Sequence, residues 1–155
     1  MQKRIFMIRE LEADCVGMLN TALEHGLTSE AGKIAFRSAM LQLRTATELK
    51  SEMIYAPLLE DPNTCDYVRR LEGQLFDLSE RIGTLRRHLE QCLDSGTSDT
   101  DQLTASAQRL RRRLLVLFKK ESALRPIYAT WCDRTIGRFE QSLPGTAEPS
   151  MAIYH

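Results

Sequence analysis

Apolar residues recur at steps of three and four along four stretches of this chain. That spacing places them on one side of an α-helix. The first stretch runs from about Ile5 to Leu23, through Ile8, Leu11, Cys15, Met18, Leu19 and Ala22. "EHGLTSE" closes it, with Gly26 suited to a helix C-terminus and Thr28 or Ser29 to the start of the next helix. The second runs from about Glu30 to Leu59, through Ile34, Met40, Leu41, Ile54 and Leu58, with Pro57 near its end to bend or stop it. After the turn "EDPNT", the third runs from about Cys65 to Leu93 through Val68, Leu71, Leu75, Leu78, Ile82, Leu85 and Leu89. The loop "DSGTSDTDQ" follows. The fourth starts near Leu103, passes Leu110, Leu114, Leu117 and Leu124, meets Pro126 and is expected to continue, bent, to about Phe139. No strand-like alternation of useful length occurs. Four helices on short connections predict an all-α, antiparallel up-down-up-down four-helix bundle over residues 1–140. The last stretch, residues 141–155, has too few periodic apolar positions to pack and is expected to be disordered.

The pattern is written twice. "SEMIYAPLLED" and "ESALRPIY" share a glutamate, two spacers, an apolar residue, one more residue and a proline. Glu52 and Pro57 match Glu121 and Pro126 at a constant offset of 69, and "RELEAD" matches "RRLEGQ" at an offset of 60. The difference of nine equals the length of "DSGTSDTDQ". Two helical hairpins, the second with a longer loop, account for both offsets.

This doubled ending resembles the hemerythrin-like domain. There the second and fourth helices carry His, three residues, Glu-Glu, an apolar pair and Pro, while the first and third each add a His. The resemblance implies a bundle built around two irons that bind oxygen or sense iron and redox state. Carried over residue by residue, it places the His and the first Glu of the second helix at Thr47 and Ser51, and the second Glu at Glu52. On the fourth helix the same positions are Val116, Lys120 and Glu121. Cys15 stands where the first helix would bring its His, and residues 72–75 of the third contain none. The chain has three histidines, His25, His88 and His155, none placed to join such a centre. The resemblance therefore implies a fold that has lost its metal. No cofactor is expected. The centre is expected to collapse into an apolar core of Cys15, Val116 and neighbouring leucines. Lys120 either points inward to pair with Glu52 or a nearby carboxylate or, with the register shifted by one residue, turns to solvent.

Composition narrows the function classes. Lys plus Arg equals Asp plus Glu at 21 each, so no global field selects nucleic acid or an anionic membrane. The N-terminal stretch lacks the apolar run of a secretory signal, and no stretch approaches the ~20 apolar residues of a membrane span, so a cytoplasmic protein is expected. The four cysteines, Cys15, Cys65, Cys92 and Cys132, form no CxxC pair and read as reduced thiols. Glu48 and Glu52 lie one turn apart, but no nucleophile or histidine joins them as an acid–base pair. His88 lacks the residues that follow a phosphotransfer histidine. "RLRRRLLVLFKKESALR" carries seven basic residues against one acidic, with Arg109, Arg112 and Arg113 on its polar face. Such a ridge suits an acidic protein surface better than nucleic acid, because no recognition motif or aromatic platform accompanies it.

The expected role is a non-enzymatic, metal-free binding or regulatory module with an unknown protein partner. The alternative is a metal-binding oxygen or redox sensor with unconventional ligands such as Cys15, Glu48, Glu52 and Glu121. A homodimer is a further expectation if Ile5, Phe6, Met7, Trp131, Ile136 and Phe139 form an exposed patch rather than capping the core.

Overall fold

The computed structural model describes residues 2–95, 100–124 and 126. Among these the chain is all-helical: α1 (Gln2–His25), α2 (Glu30–Lys50), a π-helical turn (Ser51–Tyr55), α3 (Ala56–Leu59), α4 (Cys65–Ser95) and α5 (Thr100–Ser122). α2, the π turn and α3 run on without a break, so four long helical segments make up the fold. α1 packs along α2, α4 along α5, and α1 also meets α5. α2 and α4 face each other across a cleft lined by Phe36, Met40, Arg86 and Leu89. Residues Met1–Ser122 form one compact unit. The expected bent continuation beyond Pro126 to Phe139, the centre of the "DSGTSDTDQ" loop, the 141–155 tail, and Trp131, Ile136 and Phe139 all lie outside the described residues.

The α1–α2 connection forms as its residues dictate. Gly26 adopts φ 85, a left-handed conformation that costs an L side chain free energy but not glycine. The Ser29 hydroxyl then accepts from the Gly32 amide at 3.0 Å and donates to the Gly26 carbonyl at 2.8 Å, capping α2. The two backbones come so close here that a Cβ on Gly32 would lie 1.7 Å from the Gly26 carbonyl oxygen.

Close approach also explains where the expected second stripe fails. Ile34 and Leu41 are 64% and 66% exposed, and the buried face of α2 is Ala35, Phe36, Ala39, Leu43 and Ala46. The core face of this helix sets Ala35, Ala39 and Ala46 beside Phe36 and Leu43, and its small side chains let α1 and α2 pack at short range. The stripes of α4 and α5 hold as expected, with Val68, Leu71, Leu78, Leu85 and Leu89 facing Leu103, Leu110, Leu114 and Leu117 in the core. Ile5 is half-buried, whereas Phe6 and Met7 are exposed.

Pro57 does not stop its helix. It lacks the amide hydrogen that would bond the carbonyl four residues back, and the winding widens just before it into the π turn, closed by the Ala56 amide on the Ser51 carbonyl. In a regular α-helix three successive residues sweep about 200° and cannot all face the core. The slower winding of the π turn buries Met53, Ile54 and Tyr55 together.

Gly32→Ala should destabilise the fold by about 2 kcal/mol or more, since backbone rather than a flexible side chain occupies the space. Gly17→Ala, where an added Cβ meets nothing within 4 Å, should instead stabilise it by about 0.5–1 kcal/mol. Paired denaturant titrations check both signs, and equal effects would contradict the close approach at the turn.

Candidate functional site

Three charged residues are buried among the described residues: Glu12, Lys50 and Glu121. Each lies in phase with an apolar stripe. Glu12 sits between Ile8 and Cys15 on α1, Lys50 between Ala46 and Ile54 on the second segment, and Glu121 between Leu117 and Leu124 near the end of α5. Helical geometry therefore carries all three inward.

They meet. The Lys50 Nζ is 3.0 Å from Glu12 Oε1 and 2.8 Å from Glu121 Oε1, with the lysine side chain only 2% exposed. The Tyr55 hydroxyl donates to the second oxygen of Glu121, Oε2. The Phe118 ring lies below the ammonium, 4.9 Å from Nζ to its centroid, and adds a cation–π contact. Lys50 ends α2 and Tyr55 ends the π turn, so the widened winding places both donors on one carboxylate. A buried ammonium without partners would cost several kcal/mol or lose its proton; here two carboxylates and a ring face compensate it.

The surrounding groups respond to this charge. Burial pushes the Cys15 thiol up to about 12, the Glu12 carboxylate pushes it the same way, and Lys50 opposes them. Burial also raises the Tyr55 hydroxyl, reinforced by Glu121 and, more remotely, by Glu12 and Glu72. Both groups are held neutral. A protonated, fully buried thiol is a poor nucleophile.

The residues carried over from the hemerythrin-like resemblance are not brought together. Cys15 and Glu121 are buried at the centre, but Thr47 is only half-buried and Ser51 and Glu52 are exposed. Val116 is 54% exposed and Lys120 faces solvent, so the inward-facing position on α5 is Glu121, one residue on. The apolar collapsed centre is thus corrected on two counts: Val116 lies on the outside, and the core holds an ion-pair network. A Lys120–Glu52 pair is also corrected, because both side chains point outward. The lysine that does enter the core is Lys50.

Metal ligation by Cys15, Glu48, Glu52 and Glu121 is likewise split. Glu48 is exposed and pairs with Arg44 at 3.0 Å, and Glu52 is exposed too. Among the described residues, no group of three or more His, Cys, Asp or Glu side chains is placed to hold a metal ion. The residues do not fit a two-metal centre. The inward carboxylates close on an ammonium, with no imidazole beside them among the described residues.

Arg109, Arg112 and Arg113 are exposed on α5, as their spacing predicts. The ridge is not purely basic: Asp77 of α4 bridges Arg113 at 3.4 Å and Arg81 at 3.2 Å.

Glu12, Lys50 and Tyr55 were missed by the sequence reading. A signal for two of them was present, since Glu12 and Lys50 each occupy a core phase where a charge demands a partner. Tyr55 was hidden, because only the π turn brings it inward. No protein-family model, curated protein or solved structure matches this chain. No described helix is long and apolar enough to cross a membrane.

Lys50→Met should destabilise the fold by about 3–5 kcal/mol, by leaving two inward carboxylates without their ammonium. Adding Glu12→Gln and Glu121→Gln should recover most of that loss, and a single variant as stable as the parent would refute the network. Alkaline pH supplies a second check. Cys15 and Tyr55 keep their protons more strongly folded than unfolded, so above about pH 9 the unfolded chain binds fewer protons. Stability should therefore fall as pH rises from the ordinary thiol value of 9.0 toward 12. Urea titrations at stepped pH measure this, and Cys15→Ala should flatten the lower part of the curve.

Proposed function

We propose that this chain is a metal-free, non-catalytic binding or regulatory module: an antiparallel, hemerythrin-like four-helix bundle in which an internal ion pair stands where that family holds iron. The observation that carries the reading is the Lys50 ammonium, seated within 3.0 Å of carboxylates from α1 and α5. A dication at the same point would have to displace this ammonium or strip its proton. The order of packing, α1 on α2, α4 on α5 and α1 on α5, supports the up-down-up-down arrangement.

Catalysis finds little support in the same centre. Its one thiol is held protonated, and its carboxylates are engaged with Lys50 and Tyr55. The outer face of α5 supports a protein contact instead. Arg109, Arg112, Arg113, Lys119 and Lys120 are exposed there around Leu115 and Val116, which are 44% and 54% exposed. Apolar residues within a basic face suit a protein surface better than a phosphate backbone.

Elemental analysis of untagged protein, purified without chelator, tests the metal-free part. The expected result is substoichiometric iron, manganese and zinc, with no rise in melting temperature on adding any of them. Stoichiometric metal that survives dialysis, or a ligand-like stabilisation by one metal, would overturn it.

A further inference from the structure

Where residues 33–44 of α2 stand opposite residues 86–90 of α4, a cleft of ≈ 270 Å³ opens in the surface. Phe36 and Leu89, both buried, form its floor, and the half-buried Met40 and the exposed Leu41 line its α2 wall. Helical phase is consistent with one continuous site. Positions 33, 36, 37, 40, 41 and 44 fall within about 140° of the circumference of α2, and 86, 89 and 90 within about 100° of that of α4.

Four of the lining side chains are cationic, Lys33, Arg37, Arg44 and Arg86, and one is acidic, Glu90. Lys33 and Arg44 are already engaged, at 3.1 and 3.0 Å, by Glu30 and Glu48, which do not line the cleft. Arg37 and Arg86 are different. Among the described residues neither has an ion-pair or hydrogen-bond partner, and one stands on each wall. Two guanidinium groups on opposite walls repel each other unless an anion lies between them. A bare inorganic anion would satisfy them but leave Met40 and Leu41 in water, and a neutral apolar molecule would do the reverse. We infer that the cleft binds a small amphipathic carboxylate. Its head lies between the Arg37 and Arg86 guanidinium groups, whose fork matches a carboxylate, and its aliphatic or aromatic body covers Met40 and Leu41 above the floor. The α4 wall is a single helical turn long, which suits a compact molecule rather than a docked helix. Glu90 sets the polarity of the site, since its like charge on the rim turns the head toward the arginines. This is a ligand of the outer surface, and its binding does not depend on the ion pair at the centre.

Calorimetric titration of the full chain with octanoate tests the proposal. The parent should bind one octanoate per chain, saturably. Butanoate, with four fewer methylene groups to cover, should bind at least about tenfold more weakly. Octanol, which keeps the body and lacks the charge, should also lose at least about tenfold. Arg37→Gln and Arg86→Gln should each weaken octanoate by about tenfold, whereas Glu90→Gln should tighten it by removing a like charge. Arg37, Arg86 and Glu90 are exposed, so circular dichroism and melting temperature without ligand should match the parent in every variant. No saturable binding of octanoate up to about 1 mM would overturn the proposal. Octanoate held equally well by both arginine variants would do the same, and so would octanol bound as tightly as octanoate. A glutamate-rich helical peptide that displaces octanoate and binds more tightly would assign the cleft to a protein partner instead.

Discussion

The Lys50 ammonium, held between Glu12 and Glu121, is the constraint from which the rest of the arrangement follows. Its charge can stay in the core only while α1, the end of α2 and the end of α5 each deliver a group to the same point. None of those helices can slide by a turn or rotate by one residue without stranding a charge in apolar surroundings. An interior of leucines alone tolerates such shifts far better, because apolar contacts are interchangeable. The π turn belongs to the same requirement: it gives Glu121 a second donor from the segment that carries Lys50.

Packing differs between the two helical pairs. α1 and α2 pack along a face where Ala35, Ala39 and Ala46 stand beside Phe36 and Leu43, with Gly32 tight against the Gly26 carbonyl at their turn. α4 and α5 are held apart by leucines, and clefts open between their outer edges, with Arg113 and Asp77 shared by two of them. The tight pair supplies rigidity, and the looser pair supplies relief and exposed apolar surface. The basic residues of α5 emerge on the looser side.

The helices among the described residues were legible because leucine spacing on α4 and α5 repeats without interruption, and because Gly26 and Ser29 punctuate the chain with specific turn chemistry. The core face of α2 was less legible. Ile34 and Leu41 are larger and more apolar than Ala35 and Ala39, yet short-range packing selects the small residues. The centre was misread for a different reason. Counting back from the prolines assumes uniform α-helical winding, and the π turn breaks that count on one segment, while on α5 the inward position falls at Glu121 rather than Lys120. Glu12 and Lys50 could have been found by asking which charged residues fall in phase with apolar neighbours. Tyr55 could not, since no periodicity rule brings three consecutive residues to one face.

The separations in sequence within the central network carry a consequence for synthesis. Glu12 and Lys50 lie on neighbouring helices joined by a four-residue turn, whereas Glu121 follows Lys50 by 71 residues. A chain leaving the ribosome at roughly 5–20 residues per second therefore holds the first hairpin, with one carboxylate on the ammonium, for several seconds before the second carboxylate exists. During that interval Tyr55 has no acceptor at the centre and the α1–α2 face is open to water. Hydration serves Lys50 in the nascent hairpin, and it is the arrival of α5 that drives the water out. The closing step of folding is thus a desolvation event, late in the chain and long in range.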